Sequence, residues 1–442
     1  MLPRLLLQLV AITHVAIVDP AGSASQQDMT VVVDGGRITS VTLSARASVP
    51  AQARVIDGSG RFLIPGLWDM HVHTVTPSGR PLLALYVANV VTGVRDMAAD
   101  WTTLQHWRRQ IAEGTLVGPR IVASGPYLEG HDNIIPHIEV HTADDARRAV
   151  DSLGRLGVDF VKVHSAVPRA AFFAAVREAR ARHLAVAGHL SPGVTVVEAS
   201  DSGQRSLEHL LGFVNRCTPA ESVAFAGVDA LRRIVFGACS TRDQTPIYEH
   251  LARNGTWVTP TLAASYEFAV LPERAVPADT LSRFISDSLR AYLTHIFDAP
   301  PNLPSDAGVL GRRLFAKRQE TVGALGRAGV RLLAGTDAPM RNSPPGFGLH
   351  EELALLVQSG LSPLAALRAA TYEPARYFDA LDSLGTIAPG KLADLVLLDG
   401  DPLADIRNTR RIAAVLTRGR VYDRPALDAL LAGVEQSARQ RE

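Results

Sequence analysis

The sequence predicts an α/β protein: a parallel (β/α)8 barrel carrying a small β-sandwich domain assembled from both ends of the chain. Three observations carry that expectation. Between residues 62 and 337 a short apolar or β-branched run, a loop and an amphipathic helical stretch recur in the same order. Eight such runs occur, the number that closes a parallel barrel. Outside that region both ends of the chain carry short strand-like runs in tight hairpins.

Taken in order, ITHVAIVDP (12–20) and MTVVVDGGRITSV (29–41) alternate like half-buried strands. The barrel strands expected next are FLIPGLWDMHVH (62–73), VTGVRDM (91–97), RIVASG (120–125), VDFVKVH (158–164), LAVAGH (184–189), RSLEH (205–209), TWVTPTL (256–262) and VRLLAGTDA (330–338). Between them TADDARRAVDSLGRLG (142–157) opens on a Thr cap and ends on a glycine, and AAFFAAVREARARH (170–183) repeats its apolar positions at helical spacing. GLHEELALLVQSG (348–360) and SPLAALRAATYEPARYF (362–378) read as helices completing the outer ring. The tail returns to short strands, in SLGTIAPGKLADLVLLDGDP (383–402) and IAAVLTRGRVYDR (412–424). The expected units are therefore residues 1–64 with 384–442 as the sandwich, and 65–383 as the barrel.

Composition narrows the partner. A chain of 442 residues has material for a large core and an accessory module. Its 45 basic and 44 acidic side chains leave no electrostatic footprint for nucleic acid or an anionic membrane. A small-molecule or peptide-like substrate is expected, with a homo-oligomer left open. No apolar run approaches the roughly 20 residues of a membrane span. Two cysteines, Cys217 and Cys239, exclude a disulfide scaffold and a thiolate metal cluster, and buried thiols are the default reading. The first residues carry Arg4, an apolar run and small residues near Ala24, so a secretory signal has to be weighed. Because residues 10–18 also read as a sandwich strand, the expectation is an uncleaved cytoplasmic protein, with a periplasmic or secreted one as the alternative.

Enzymes on such a barrel react at the C-terminal ends of the strands, so polar residues there are site candidates. His71 and His73 end the first strand, where positions i and i+2 share a face and can put two imidazoles on one ion. Lys162 sits inside the fourth strand, where an isolated ammonium is costly. It either snorkels or meets an acid, or it has reacted with carbon dioxide to give a carbamate that bridges two metals. His189 and His209 end the fifth and sixth strands. Asp337 ends the eighth, which barrel closure places beside the first; a turn or helix cap is its ordinary alternative.

In this order IPGLWDMHVH, VKVH, AGH, LEH and LLAGTDA resemble the amidohydrolase superfamily, a TIM-type barrel family, in its two-metal branch with a carboxylated lysine. The flanking VVVDGGRITSV, RVIDGSGRFLIPG and LGTIAPGKLADLVLLDGDPL resemble the segments that build that family's sandwich. The likeness is greatest to prolidase-like and imidazolonepropionase-related members. It implies that His71, His73 and Asp337 hold one divalent ion and His189 and His209 the other, with N6-carboxylated Lys162 between them. Zinc suits such imidazole ligands. It further implies amide hydrolysis of a dipeptide, N-acyl amino acid or cyclic amide by a metal-bridging hydroxide, with Asp337 as catalytic proton carrier. One departure bears on the dipeptide assignment: many dipeptidase-type relatives have a glycine-rich loop after the lysine, whereas VKVHSAVPRAAFF enters a helix almost at once.

Substrate contacts are expected from the loop LEGHDNIIPHIEVH (128–141), with His131 and His137 as candidates, and from His164 beside Lys162. Arg341 and Tyr266 are weaker ones. Three rivals stand beside this reading: a mononuclear deaminase, which needs no lysine on the fourth strand; a lactonase, esterase or phosphotriesterase on the same two-metal site; and a non-catalytic barrel, against which all six ligand positions argue.

Overall fold

The computed structural model describes residues 8–22, 25–220, 238–270, 281–297 and 307–440. The two ends of the chain meet in one eight-stranded sheet. The alternating VAITHVAI forms β1 (Val10–Ile17), which pairs antiparallel with β2 (Gln26–Asp34) and parallel with both β4 (Arg54–Asp57) and β5 (Phe62–Pro65); β3 (Arg37–Leu43) continues from β2. From the far end of the sequence, β18 (Leu395–Leu398) lies antiparallel on β5, followed by β19 (Ile412–Thr417) and β20 (Arg420–Asp423). Val10, Ile12, Val31, Leu395 and Leu416 are buried together there, each aliphatic side chain contributing roughly 1.5–3 kcal/mol.

The first expected barrel strand proves to be two. Phe62–Pro65 belongs to the terminal sheet, and the parallel strands start with β6 (Leu67–Val72). The break is Gly66, where any Cβ would stand 2.1 Å from Thr92 Oγ1. Only glycine lets the backbone pass this close while leaving one sheet for the other.

Among the described residues the remaining strands are parallel, and all but one pair fall into two ladders. A three-stranded sheet holds β6, β7 (Val91–Asp96) and β8 (Arg120–Ala123). A seven-stranded one runs β10-β9-β11-β12-β13-β16-β17, with β9 (Tyr127–Glu129), β10 (His137–Glu139), β11 (Phe160–Val163), β12 (Ala185–Gly188), β13 (Gln204–Glu208), β16 (Trp257–Thr259) and β17 (Arg331–Leu332). Isolated backbone bonds tie the two ladders together, between β8 and the start of β11 and between β6 and the segment after β17. Asp159 N donates to Ala123 O at 3.0 Å on one side, and Met70 N to Ala334 O at 2.9 Å and Asp337 N to His71 O at 2.7 Å on the other. The helices expected from the sequence are in place. Ala143–Leu156 opens on a Thr142–Asp145 capping box and stops at Gly157 in the left-handed region. Arg169–Ala181 buries Ala171, Phe172, Ala175 and Ala179 on one face.

Three features depart from the expectation. The loop after β8 contains the short strands β9 and β10, and β9 lies directly beside β11. The last helix, Arg424–Arg439, puts Val434 against Leu82, Leu85 and Phe284, so it packs on the helix Gly79–Ala88 as well as on the terminal sheet. Cys217 and Cys239 are not free thiols: β14 (Val214–Arg216) and β15 (Ala238–Ser240) pair in parallel and set the two Cα atoms 5.7 Å apart, within disulfide reach, and the sulfurs are bonded. Linear separation carries no sign of that pairing. The first seven residues, with Arg4, lie outside the described residues; β1 just after them is an inner strand of the terminal sheet.

Candidate metal centre

All six residues expected as ligands face one cavity of about 520 Å³ at the C-terminal ends of the parallel strands. His71 comes from the end of β6 and His73 from just beyond it, Lys162 from β11, and His189 and His209 from the residues after β12 and β13. Asp337 follows β17 at φ 65°, held by the bond from its amide to His71 O. Its Oδ1 lies 3.4 Å from His71 Nε2 and 3.3 Å from His73 Nε2. The ring of His71 is 4.3 Å from that of His209, which is 4.8 Å from His189.

Electrostatics puts these groups in ligand-competent forms. Burial, aided by the Lys162 charge, holds the imidazoles of His71 and His189 well below their ordinary range; burial and the neighbouring His71 do the same for His209. Neutral imidazole is the form that binds metal. Burial pushes the Asp337 carboxyl up, but His209 and His73 outweigh it and keep it a carboxylate. Burial pulls the Lys162 amine down to about 8, opposed by Glu208 and Asp337. Its side chain is 1% exposed and, among the described residues, has no ion-pair partner.

Around the candidate ligands stands a layer that sequence reasoning missed. Glu208 Oε2 accepts from His71 Nδ1 at 2.8 Å, and Arg95 Nη2 reaches both Glu208 oxygens at 2.9 Å. Ser206 adds a bond to Oε1 at 2.6 Å. Arg95 bonds outward as well, to Met70 O, Ser206 and Thr259. The ring of His189 is held by Ser165 at 2.6 Å and that of His209 by Thr261 at 2.8 Å. Asp69 accepts from the amide and hydroxyl of Thr336 and so fixes the turn that carries Asp337. The signal available for Arg95 and Glu208 was the one that exposed Lys162, a charge inside a strand run; their mutual pairing was not readable.

The expected substrate residues divide. His164 lines the cavity, its ring 4.7 Å from Tyr127 and 4.2 Å from His189, with Nδ1 bonded to Glu129. His131 is exposed and bonds to the carbonyl of Asp132, His137 bonds to that of Ile135, and neither is in the cavity wall. Asp132, Asn133, Ile134 and Ile135 of the same loop are. Tyr266 packs on Phe315 instead, and Arg341 is also outside the wall.

The residues present fit a divalent ion. His71 Nε2 is fully buried without a hydrogen-bond partner, and one donor atom from each of His71, His73 and Asp337 lies within 4.8 Å of the others. Two imidazoles and a carboxylate are ligands that zinc and its neighbours accept. His189 and His209 add two further nitrogens; a lysine amine adds none while protonated, whereas a carbamate would add two oxygens.

A family model described as "Amidohydrolase family" matches residues 62–422. Among solved structures, the bottromycin amidohydrolase superposes with a TM-score of 0.76 at 23% identity, over 98% of this chain and 91% of that one. A Xaa-Pro dipeptidase with bound methionine gives 0.69 at 20% identity, over 94% and 100%. Curated relatives match locally: an adenine deaminase of Clostridium perfringens is 55% identical over 51 residues, 12% of this chain and 9% of its own. Across the curated relatives the match spans between 9% and 18% of their length.

Proposed function

Since the chain belongs to the amidohydrolase family, we propose that it is a hydrolase that cleaves an amide carbon–nitrogen bond of a small substrate such as a dipeptide, an N-acyl amino acid or a cyclic amide. The observation that carries the reading is the convergence of His71, His73, Lys162, His189, His209 and Asp337 on one cavity. We read the two parallel ladders as one (β/α)8 barrel, since backbone bonds join β8 to the start of β11 and β6 to the segment after β17. We take residues 1–64 with 384–442 as its accessory unit, built on the terminal sheet.

His71, His73 and Asp337 would hold one divalent ion, His189 and His209 a second, and Lys162, carboxylated on Nζ, would span them. When bound, such ions supply Lewis acidity that acidifies water and polarises a carbonyl. The chain's own part is positional. Glu208 accepts from His71 Nδ1 and leaves Nε2 to face the cavity. Asp337, a carboxylate held beside both histidines, accepts the proton of the attacking water and delivers it to the departing nitrogen. The depressed amine of Lys162 keeps part of its population neutral near pH 7, and the neutral amine is the form that adds carbon dioxide.

The test is metal content per chain for wild type and Lys162→Ala, purified with bicarbonate and zinc, with both assayed on N-acyl amino acids and dipeptides. About two ions in the wild type, falling together with activity in the variant, is the expected result. One ion or fewer, with Lys162→Ala indistinguishable from wild type, would overturn the bridged pair and favour a mononuclear deaminase at His71, His73 and Asp337.

A further inference from the structure

Among the described residues two arginines are fully enclosed near the centre, and they differ in one respect. Arg95 spends its donors on Met70 O, Ser206, Glu208 and Thr259. Arg318, on the helix Ala307–Arg327, is 2% exposed and lines the same cavity as the candidate ligands. Among the described residues it has no hydrogen bond and no ion pair within 4.0 Å, and its Nε is buried without a partner. Its acidic neighbour is Glu352, whose Oε2 already accepts from Ala263 N at 2.7 Å. Burial pushes that carboxyl up to about 8, so near neutral pH it is mostly protonated and offers little charge in return.

A buried guanidinium with open donors is costly, and its planar fork matches a carboxylate in two parallel bonds. Apart from Lys162, which the proposed bridge would use, Arg318 is the one fixed cation among the described residues lining the cavity. Leu211, Phe268, Leu293 and Ile296 form apolar wall beside these polar groups. From this juxtaposition we propose that Arg318 anchors the free carboxylate of the substrate, and that the cavity takes N-acyl amino acids or dipeptides with an apolar side chain rather than cyclic amides lacking a carboxylate. The inference rests on the amide-hydrolase reading for the reaction but not for the anion contact.

Isothermal calorimetry on the metal-loaded protein separates the two, with N-acetyl-L-leucine and its methyl ester as probes. Wild type is expected to bind the acid more tightly than the ester. Arg318→Met should weaken the acid by about thirtyfold or more, leave the ester unchanged, and be partly rescued in Arg318→Lys. Equal binding of acid and ester by wild type would overturn the anchor, as would a variant that weakens both alike, which marks a packing role. Should Arg318→Met fail to fold, the wild-type comparison and Arg318→Lys decide: an acid preference lowered in the lysine variant supports the anchor, and one unaltered there overturns it. Acid preference without hydrolysis of any amide in the panel would support the anchor and sink the reaction class.

Discussion

Glu208 accepts hydrogen bonds from the His71 ring, the Arg95 guanidinium and the Ser206 hydroxyl at once. Burial opposes its charge, but Arg95 and His71 hold the carboxyl well below the ordinary range. Glu208→Gln keeps the shape and strands Arg95 in the interior. It should cost about 3–5 kcal/mol in urea unfolding and weaken metal binding roughly 10- to 100-fold in a chelator competition; an unchanged metal affinity would show that His71 needs no such partner. His350 gives a pH test away from the centre. It is 2% exposed, bonded through Nδ1 to Thr409 at 2.9 Å, and burial, with Arg410, pulls its pKa down to about 3. The unfolded chain takes up this proton near the ordinary 6.5 and the folded one does not, so the contribution is present above pH 6.5 and lost as pH falls toward 3. Wild type should lose about 1.4 kcal/mol per pH unit more than His350→Gln across that window, measured by urea midpoints. At this scale Lys162 was legible because a charge in an apolar strand demands an account; Ser165, Thr261 and Thr336 were not, because small hydroxyls occur everywhere and only their neighbours give them meaning.

Strands β11 and β12 meet where Gly188 takes φ 132°, with an added Cβ falling 2.0 Å from Val163 O and 2.9 Å from Lys162 Cδ. Gly188→Ala therefore has to part the two strands and displace the lysine stem. It should destabilise the protein by about 1–3 kcal/mol or more through overpacking and lower metal content at the same time. A variant as stable as wild type with full metal content would show that the strands yield without moving Lys162. The periodic pattern made the long helices and most of the strands readable. It failed for β9, β10, β14 and β15, all among the shortest strands, where little alternation can register. It also merged β5 with β6, since Gly66 interrupts an apolar run without making it less apolar.

Across the whole molecule, the first strand and the last ones depend on each other. β1 is paired on three strands, and β5 beside it carries β18 from more than 300 residues later in the chain. Removing residues 1–24, as cleavage near Ala24 would, takes out Val10, Ile12, Val15 and Ile17 from the buried face. The truncated chain should fail to accumulate in folded form, judged by soluble yield and a cooperative melt; a truncation that melts like the full chain would make β1 dispensable. Among the described residues no helix is long and apolar enough to cross a membrane. By itself the sequence determined the α/β class, the order of the parallel strands and the six candidate residues that line one cavity, because strand burial and helix amphipathicity are written at periods of a few residues and each candidate stands at or near the end of such a run. Only the tertiary structure decided which groups face one another: the Arg95–Glu208–His71 chain, the Cys217–Cys239 bond and, among the described residues, the unpartnered Nε of Arg318. Those are distances between residues far apart in the chain, and local periodicity carries no information about them.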